Sequence, residues 1–268
     1  MTEKQTCKID KKTNSIYCGK DKPIRPALCY TGGKSKLADT IIKRAPPHSL
    51  YIEPFMGGSA VFLKKPLADE NILNDKDSNI VKIHKGLQKG LDVSKCNLHP
   101  SREKFESIKN KKNKTACDIL YLNKLSYGCQ SKIYSVSKTK RRAKDTNITY
   151  QINHNKEYQE KLRHAKILNQ DFKNVVEKYS NDKSFIYADP PYVVGGDSYN
   201  INGVTPKQVC DTLKKVKGKW MLSYDNRKEV KKACKGKGIY FKKVNTEYTL
   251  AGGEYKPVKE LLITNYKT

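Results

Sequence analysis

Ser184-Phe185-Ile186-Tyr187-Ala188-Asp189-Pro190-Pro191-Tyr192 is the stretch that decides how the rest of this chain is read. Its opening residues are apolar and β-prone, which predicts a strand over residues 184–188. Asp189 then falls at the strand's carboxyl end, where open α/β sheets bind their ligands. Two consecutive prolines remove two backbone donors and stiffen the chain, which suits a segment whose geometry must be fixed. A carboxylate, the Pro190 carbonyl and the Tyr192 ring follow one another there. Held rigidly, the first two can accept both N–H bonds of an exocyclic amine such as that of adenine, whose lone pair is otherwise drawn into the ring. That pushes the nitrogen towards sp³ and in-line attack on a methyl group, while an aromatic ring can stack on the base.

Outward from this strand the pattern is α/β. Residues 50–55 read as a short strand ending at a turn, and Ala60 to Lys64 as the start of a helix. Residues 71–75 form a second strand, followed by helical spacing at Ile80, Ile83 and Leu87. Strand, helix, strand, helix predicts a parallel sheet with helices on its faces. Residues 219–223 give a further strand, and 239–244 with 258–265 a closing hairpin. The fold class expected is a doubly wound, Rossmann-like α/β sheet carrying a small, mainly helical insertion. Residues 1–24 are a polar, extended or disordered lead-in; 25–94 and 166–268 form the main domain; 95–165, where the alternation lapses, form the insertion.

The chain has 268 residues, with 54 Lys and Arg against 27 Asp and Glu, a formal net charge of +27. An excess of that size favours a polyanionic partner, because each phosphate neutralised releases condensed counterions. Residues 101–150 carry thirteen Lys and Arg against four Asp and Glu, so the insertion is the candidate basic patch. Eight cysteines are scattered without a C-x-x-C pair, which argues against zinc and predicts reduced thiols in an intracellular protein of cytoplasm or nucleus. No run approaches a membrane span, and the five histidines lack ligand spacing, so neither a membrane nor a metal is expected.

Other motifs carry weaker signals on their own. Tyr30-Thr31-Gly32-Gly33-Lys34-Ser35 looks like the end of a phosphate-binding loop, but the required first glycine is Leu28. Glu53-Pro54-Phe55-Met56-Gly57-Gly58-Ser59 lies between a strand and a helix; its small residues either let backbone N–H groups approach a ligand or simply make a tight turn. Asp75 ends the next strand, where an acid can accept ribose hydroxyls. Arg141 and Arg142, with Lys138 and Lys140, serve phosphate contact, import or a solvated loop. Tyr127 and Tyr134 either stack in DNA or pack.

Taken together, these segments resemble the DNA adenine methyltransferase (Dam) family, of the class whose cofactor motif precedes its recognition region. The likeness runs from about Ala27 to Asn265. Tyr30-Thr31-Gly32-Gly33-Lys34 is similar to the family's aromatic-x-G-G-K motif, Glu53-Pro54-Phe55 to Phe62 to its E-P-F-x-G-x-G segment, and Asp189 to Tyr192 to its catalytic D-P-P-Y. Asn74-Asp75 matches the ribose-binding acid, and Asp171-Phe172 the pair beside the cofactor's adenine. Tyr121-Leu122-Asn123-Lys124-Leu125-Ser126-Tyr127-Gly128 resembles the start of the recognition region. The resemblance implies S-adenosylmethionine as methyl donor and a flipped adenine in duplex DNA as target. It implies a short palindromic site, GATC foremost, read by a monomer or weak dimer. DNA contacts are expected from Asn123, Tyr127, Lys132, Tyr134, Lys138, Lys140, Arg141 and Arg142. Two departures stand out: Ser59 replaces the second glycine of the cofactor segment, and the family's N-V-P-x-G run survives only as Asn147-Ile148-Thr149-Tyr150. Methylation of a cytosine ring carbon is excluded, since no proline precedes a cysteine. RNA adenine or a protein amide remain alternative substrates, and a catalytically silent DNA-binding protein an alternative role.

Overall fold

The computed structural model describes residues 7–10, 15–18, 24, 26–29, 32–135, 155–192, 203–249 and 255–268. Among these residues nine strands fall in two sheets. Strands β1 (Cys7–Asp10) and β2 (Ser15–Cys18) pair antiparallel, so the polar lead-in contains a hairpin that its lack of apolar periodicity hid.

The main sheet is built from β3 (Leu50–Glu53), β4 (Glu70–Asn74), β5 (Lys166–Leu168), β6 (Ser184–Ala188), β7 (Lys219–Asp225), β8 (Tyr240–Thr249) and β9 (Tyr255–Thr264). Their order is β5-β4-β3-β6-β7-β9-β8. The first five are parallel, and β9 runs antiparallel to both β7 and β8. From β3 the chain winds outward through β4 and β5, then returns to the other side of β3 with β6 and β7. The order therefore reverses between β3 and β6, and a crevice opens there at their carboxyl ends. Glu53 and Asp189 end or follow those two strands. The parallel strands are apolar on both faces, as crossover connections require. Tyr51, Leu73, Phe185 and Tyr187 enter one apolar cluster, and Ile52, Ile72, Ile186 and Ala188 the other.

Helices α1 (Ala38–Ile42), α2 (Ala60–Lys64), α3 (Ser78–Gln88), α4 (Arg102–Asn110), α5 (Ala116–Lys124), α6 (Asn155–Arg163), α7 (Phe172–Tyr179), α8 (Pro206–Lys214) and α9 (Lys228–Cys234) complete the described elements. Their ends follow local chemistry. Asp77 caps α3, Ser101 caps α4, and Thr115 with Asp118 forms a capping box on α5. The expected insertion is mainly helical in its described part, but it does not stand apart. Phe105, Ile119, Leu120 and Tyr121, with Tyr158 and Leu162 from α6, share one apolar cluster with Tyr51, Phe62 and Ile83.

The scattered-thiol expectation is corrected. Cys29 is bonded to Cys129, Cys96 to Cys117 and Cys210 to Cys234, with Cα separations of 5.7, 5.3 and 5.1 Å, within the usual range for a disulfide. Partners 100, 21 and 24 residues apart in sequence meet only through the fold, which is why spacing did not reveal them. Among the described residues no helix is long and apolar enough to cross a membrane.

Candidate active site

The crevice between β3 and β6 is floored by a polar cluster centred on the partly exposed Asp189. Its Oδ1 takes three donors: the Lys34 ammonium at 2.9 Å, the Ser223 hydroxyl at 2.8 Å and the Tyr192 hydroxyl at 3.3 Å. Among the described residues nothing donates to Oδ2, nor to the Pro190 carbonyl beside it; the Pro191 carbonyl is taken by the Tyr224 hydroxyl at 3.1 Å. One carboxylate oxygen is thus pinned, and the other has no donor among the described residues. The arrangement has the two acceptors required for an amine with two N–H bonds.

Each donor comes from a different element. Lys34 precedes α1 and also donates to the Gly32 carbonyl at 2.8 Å; Gly32 takes φ +78°, which only glycine adopts freely. Ser223 lies in β7 and bonds the Tyr187 hydroxyl of β6 at 2.9 Å. Tyr192 stacks on Tyr224 with centroids 5.2 Å apart and rings 17° from parallel, and Lys34 sits 4.7 Å from its centroid. The expected aromatic ring is present, with one face already covered by Tyr224.

A second carboxylate adjoins the first. Glu260 in β9 is fully buried; its Oε2 accepts the Tyr192 hydroxyl at 3.1 Å, and its Oε1 lies 3.7 Å from Lys34 without a hydrogen bond. Burial pushes its carboxyl up to about 7, against the pull of Lys34, and the charge on Asp189 adds to the rise. Glu53 is also buried and bonded by the Tyr51 hydroxyl at 2.8 Å; burial above all pushes it up to about 8, so it is held largely as the neutral acid near pH 7. Sequence reasoning missed Glu260, Ser223, Tyr187 and Tyr224. The signal for Glu260 was a lone acid leading into the apolar run Leu261-Leu262-Ile263.

Beside this cluster the glycine turn forms a cradle. Asp75 Oδ2 accepts the Gly57 N–H at 2.9 Å, and its Oδ1 that of Asp77 at 2.9 Å. Gly57 has φ +43°, and a Cβ on Gly58 would come within 3.3 Å of the Pro26 side chain. Ser59 also adopts the left-handed region at φ +53°. A glycine would adopt that conformation freely, and the serine meets it at a cost of about 1 kcal/mol. His84 in α3 holds the turn from below through Nε2 to the Gly57 carbonyl at 2.8 Å; burial pushes it down to about 4, so the ring is neutral and donates. Ser59 Oγ and His84 Nδ1 are buried without a hydrogen-bond partner among the described residues. Orphaned polar atoms under a glycine turn at the ends of β3 and β4 fit a polar ligand better than a sealed core.

Asn74 ties the neighbouring strand ends together, donating to the Pro54 and Gln170 carbonyls and accepting the Gln170 N–H. Asp171 caps α7 and pairs with Lys76 at 3.5 Å, while buried Phe172 meets Phe55 with centroids 5.0 Å apart. Gly33 is exposed. Tyr30 lies outside the described residues.

The expected DNA contacts divide. Asn123 is corrected: it is buried, and its amide accepts from the Cys29 N–H and donates to the Cys29 and Cys129 carbonyls at 3.0, 2.8 and 3.0 Å. It fastens α5 and the loop after it to Cys29. Tyr134 packs, edge-on to Phe105 at 5.4 Å with the Arg102 guanidinium 5.4 Å from its ring. By contrast Tyr127 and Ile133 are 54% and 66% exposed, and Lys132 is exposed with them. They share a tight loop closed by the Tyr127 N–H to the Ile133 carbonyl at 2.8 Å, with Gly128, Cys129 and Ser131 all at positive φ. Lys138, Lys140, Arg141, Arg142 and Asn147 to Tyr150 lie outside the described residues.

The chain is 28% identical to the type II methyltransferase M.MjaIII of Methanocaldococcus jannaschii over 205 residues, 63% of this chain and 69% of that protein. It is 28% identical over 115 residues to the DNA N-6-adenine-methyltransferase of Escherichia phage P1, 38% of this chain but only 15% of the phage protein. The precorrin-6y C5,15-methyltransferase of Geobacter metallireducens GS-15 superposes with a TM-score of 0.41 at 8% identity, over 87% of each chain. Residues 30–249 match the family of D12 class N6 adenine-specific DNA methyltransferases, which is most of the chain, and the chain belongs to that family.

Proposed function

We propose that this protein transfers a methyl group from S-adenosylmethionine to the exocyclic nitrogen of an adenine flipped out of duplex DNA, at a short palindromic site. The observation that carries this reading is Asp189, with Oδ1 held by Lys34, Ser223 and Tyr192 and, among the described residues, no donor to Oδ2 or to the Pro190 carbonyl. S-adenosylmethionine, when bound, supplies an electrophilic methyl group on a cationic sulfur. Gly57, Gly58 and Ser59 would hold it, with Asp75 beyond them and Phe55 and Phe172 at the side. Tyr192, packed on Tyr224, fixes the pocket that receives the base. The exposed loop with Tyr127, Lys132 and Ile133 supports contact with the duplex, and the net charge of +27 supports a phosphate-bearing partner.

GATC is the site that the family resemblance favours. A short site also suits a small recognition segment, since each bidentate base contact supplies about 1–3 kcal/mol of discrimination. A companion nuclease would make the pair a restriction–modification system, as the type II name of the archaeal relative suggests. Expression in a methylation-free host, followed by long-read mapping of methyladenine, tests the reading. Modification confined to one short palindrome is expected. Methylation without sequence preference, or at a long asymmetric motif, contradicts it, while another four-base palindrome discards GATC alone.

A further inference from the structure

Asp189 has more donors than it can usefully keep. An ammonium 2.9 Å from Oδ1 largely neutralises a carboxylate, and a neutralised carboxylate is a poor acceptor for an amine. Glu260 competes for two of those donors. Lys34 lies 3.7 Å from its Oε1, and the single proton of Tyr192 points to Glu260 Oε2 at 3.1 Å or to Asp189 Oδ1 at 3.3 Å. One cation therefore faces two carboxylates, and one hydroxyl proton is divided between them.

We propose that Glu260 is a positioning residue for methyl transfer, drawing Lys34 and the Tyr192 hydroxyl away from Asp189 so that Asp189 stays a strong acceptor for the target amine. Ionised, Glu260 leaves the trio Lys34, Asp189 and Glu260 with a net negative charge, complementary to the positive charge that develops on the amine nitrogen. Protonated, it releases both donors to Asp189 and the trio becomes neutral. The inference rests on the methyltransferase reading of the same site.

The other groups facing Glu260 do not replace it. Tyr187 in β6 spends its hydroxyl on Ser223. Asp225, opposite Glu260 on β7, is paired with Arg227, and the partner on β8 is the apolar Val244. Glu260 titrates near neutrality because it is buried, so its ionised fraction changes within the working range.

The test is Glu260→Gln in the full chain. Single-turnover methyl transfer to duplex DNA should fall about 10- to 100-fold, the size of a charge-assisted hydrogen bond, with the Km for DNA and the affinity for the methyl donor little changed. The wild-type rate should lose activity as pH falls through about 7, and the Gln variant should lack that limb. A second readout needs no turnover. A carboxyl raised from 4.5 to about 7 in the folded state stabilises below 4.5 and loses that contribution as pH rises towards 7. The wild-type Tm should therefore fall relative to that of the Gln variant across this window. Tyr192→Phe removes one contested donor while Glu260 remains, and should slow transfer far less than Glu260→Gln. A Gln variant with wild-type rate and an unchanged acid limb, or a Tm difference independent of pH, overturns the proposal. A wild-type protein that methylates no DNA overturns the functional reading, and the role of Glu260 with it.

Discussion

The crevice at the ends of β3 and β6 and the loop from residue 126 to 135 handle side chains in opposite ways. In the crevice, Asp189, Lys34, Glu260, Tyr192 and Ser223 are each held by at least two partners, so the acceptor geometry exists before substrate arrives. In the loop the backbone is the ordered part, fixed by its hydrogen bonds and positive-φ turns, while Tyr127, Lys132 and Ile133 stand exposed. Chemistry demands preorganised side chains. Recognition of a surface needs a rigid platform with side chains free to seat. The two regions are joined at residues 26–29, where Asn123 and the Cys29–Cys129 bond reach back to the segment that precedes Gly32 and Lys34.

That contrast makes predictions of graded size. Asp189→Ala should lower the methyl-transfer rate by at least about 10³-fold with DNA binding nearly intact, because the carboxylate acts only in the chemical step. Equilibrium binding to a duplex beside single-turnover transfer checks this, and an alanine variant that turns over normally would break the account of the crevice. Asn123→Ala should cost about 1–2 kcal/mol of stability by removing three part-buried hydrogen bonds to the backbone, and should raise the Km for DNA more than it lowers kcat. Denaturant unfolding with steady-state kinetics reads both. Tyr127→Ala should leave stability within about 0.5 kcal/mol, since the ring is exposed, and weaken duplex binding only several-fold. If its effect on stability exceeded that of Asn123→Ala, the division into platform and free side chains would fail.

The same contrast explains what the sequence disclosed. Strands β3, β4, β6 and β7 were legible because parallel strands buried on both faces read as apolar runs, and Asp189 because it follows one of them. Strand β5, with only Lys166-Ile167-Leu168, was too short to show a pattern. Ser223 belongs to the site because β7 pairs with β6, and Glu260 because β9 returns beside β7, pairings across more than thirty residues that local pattern does not encode. Asn123 shows the converse: a polar residue in a recognition segment reads as a base contact, and only burial shows that it serves the backbone. The three disulfides among the described residues went unseen for the same reason, their partners being neighbours in space alone.

The central claim is that the Asp189 cluster accepts the exocyclic amine of adenine. It is tested most directly by incubating the purified protein with duplex DNA and S-adenosylmethionine carrying a labelled methyl group, then digesting the DNA to nucleosides. All label should run with N6-methyladenosine in its deoxy form, and Asp189→Ala should remove it. Label in a methylated cytosine, in protein or in RNA but not DNA would contradict the claim.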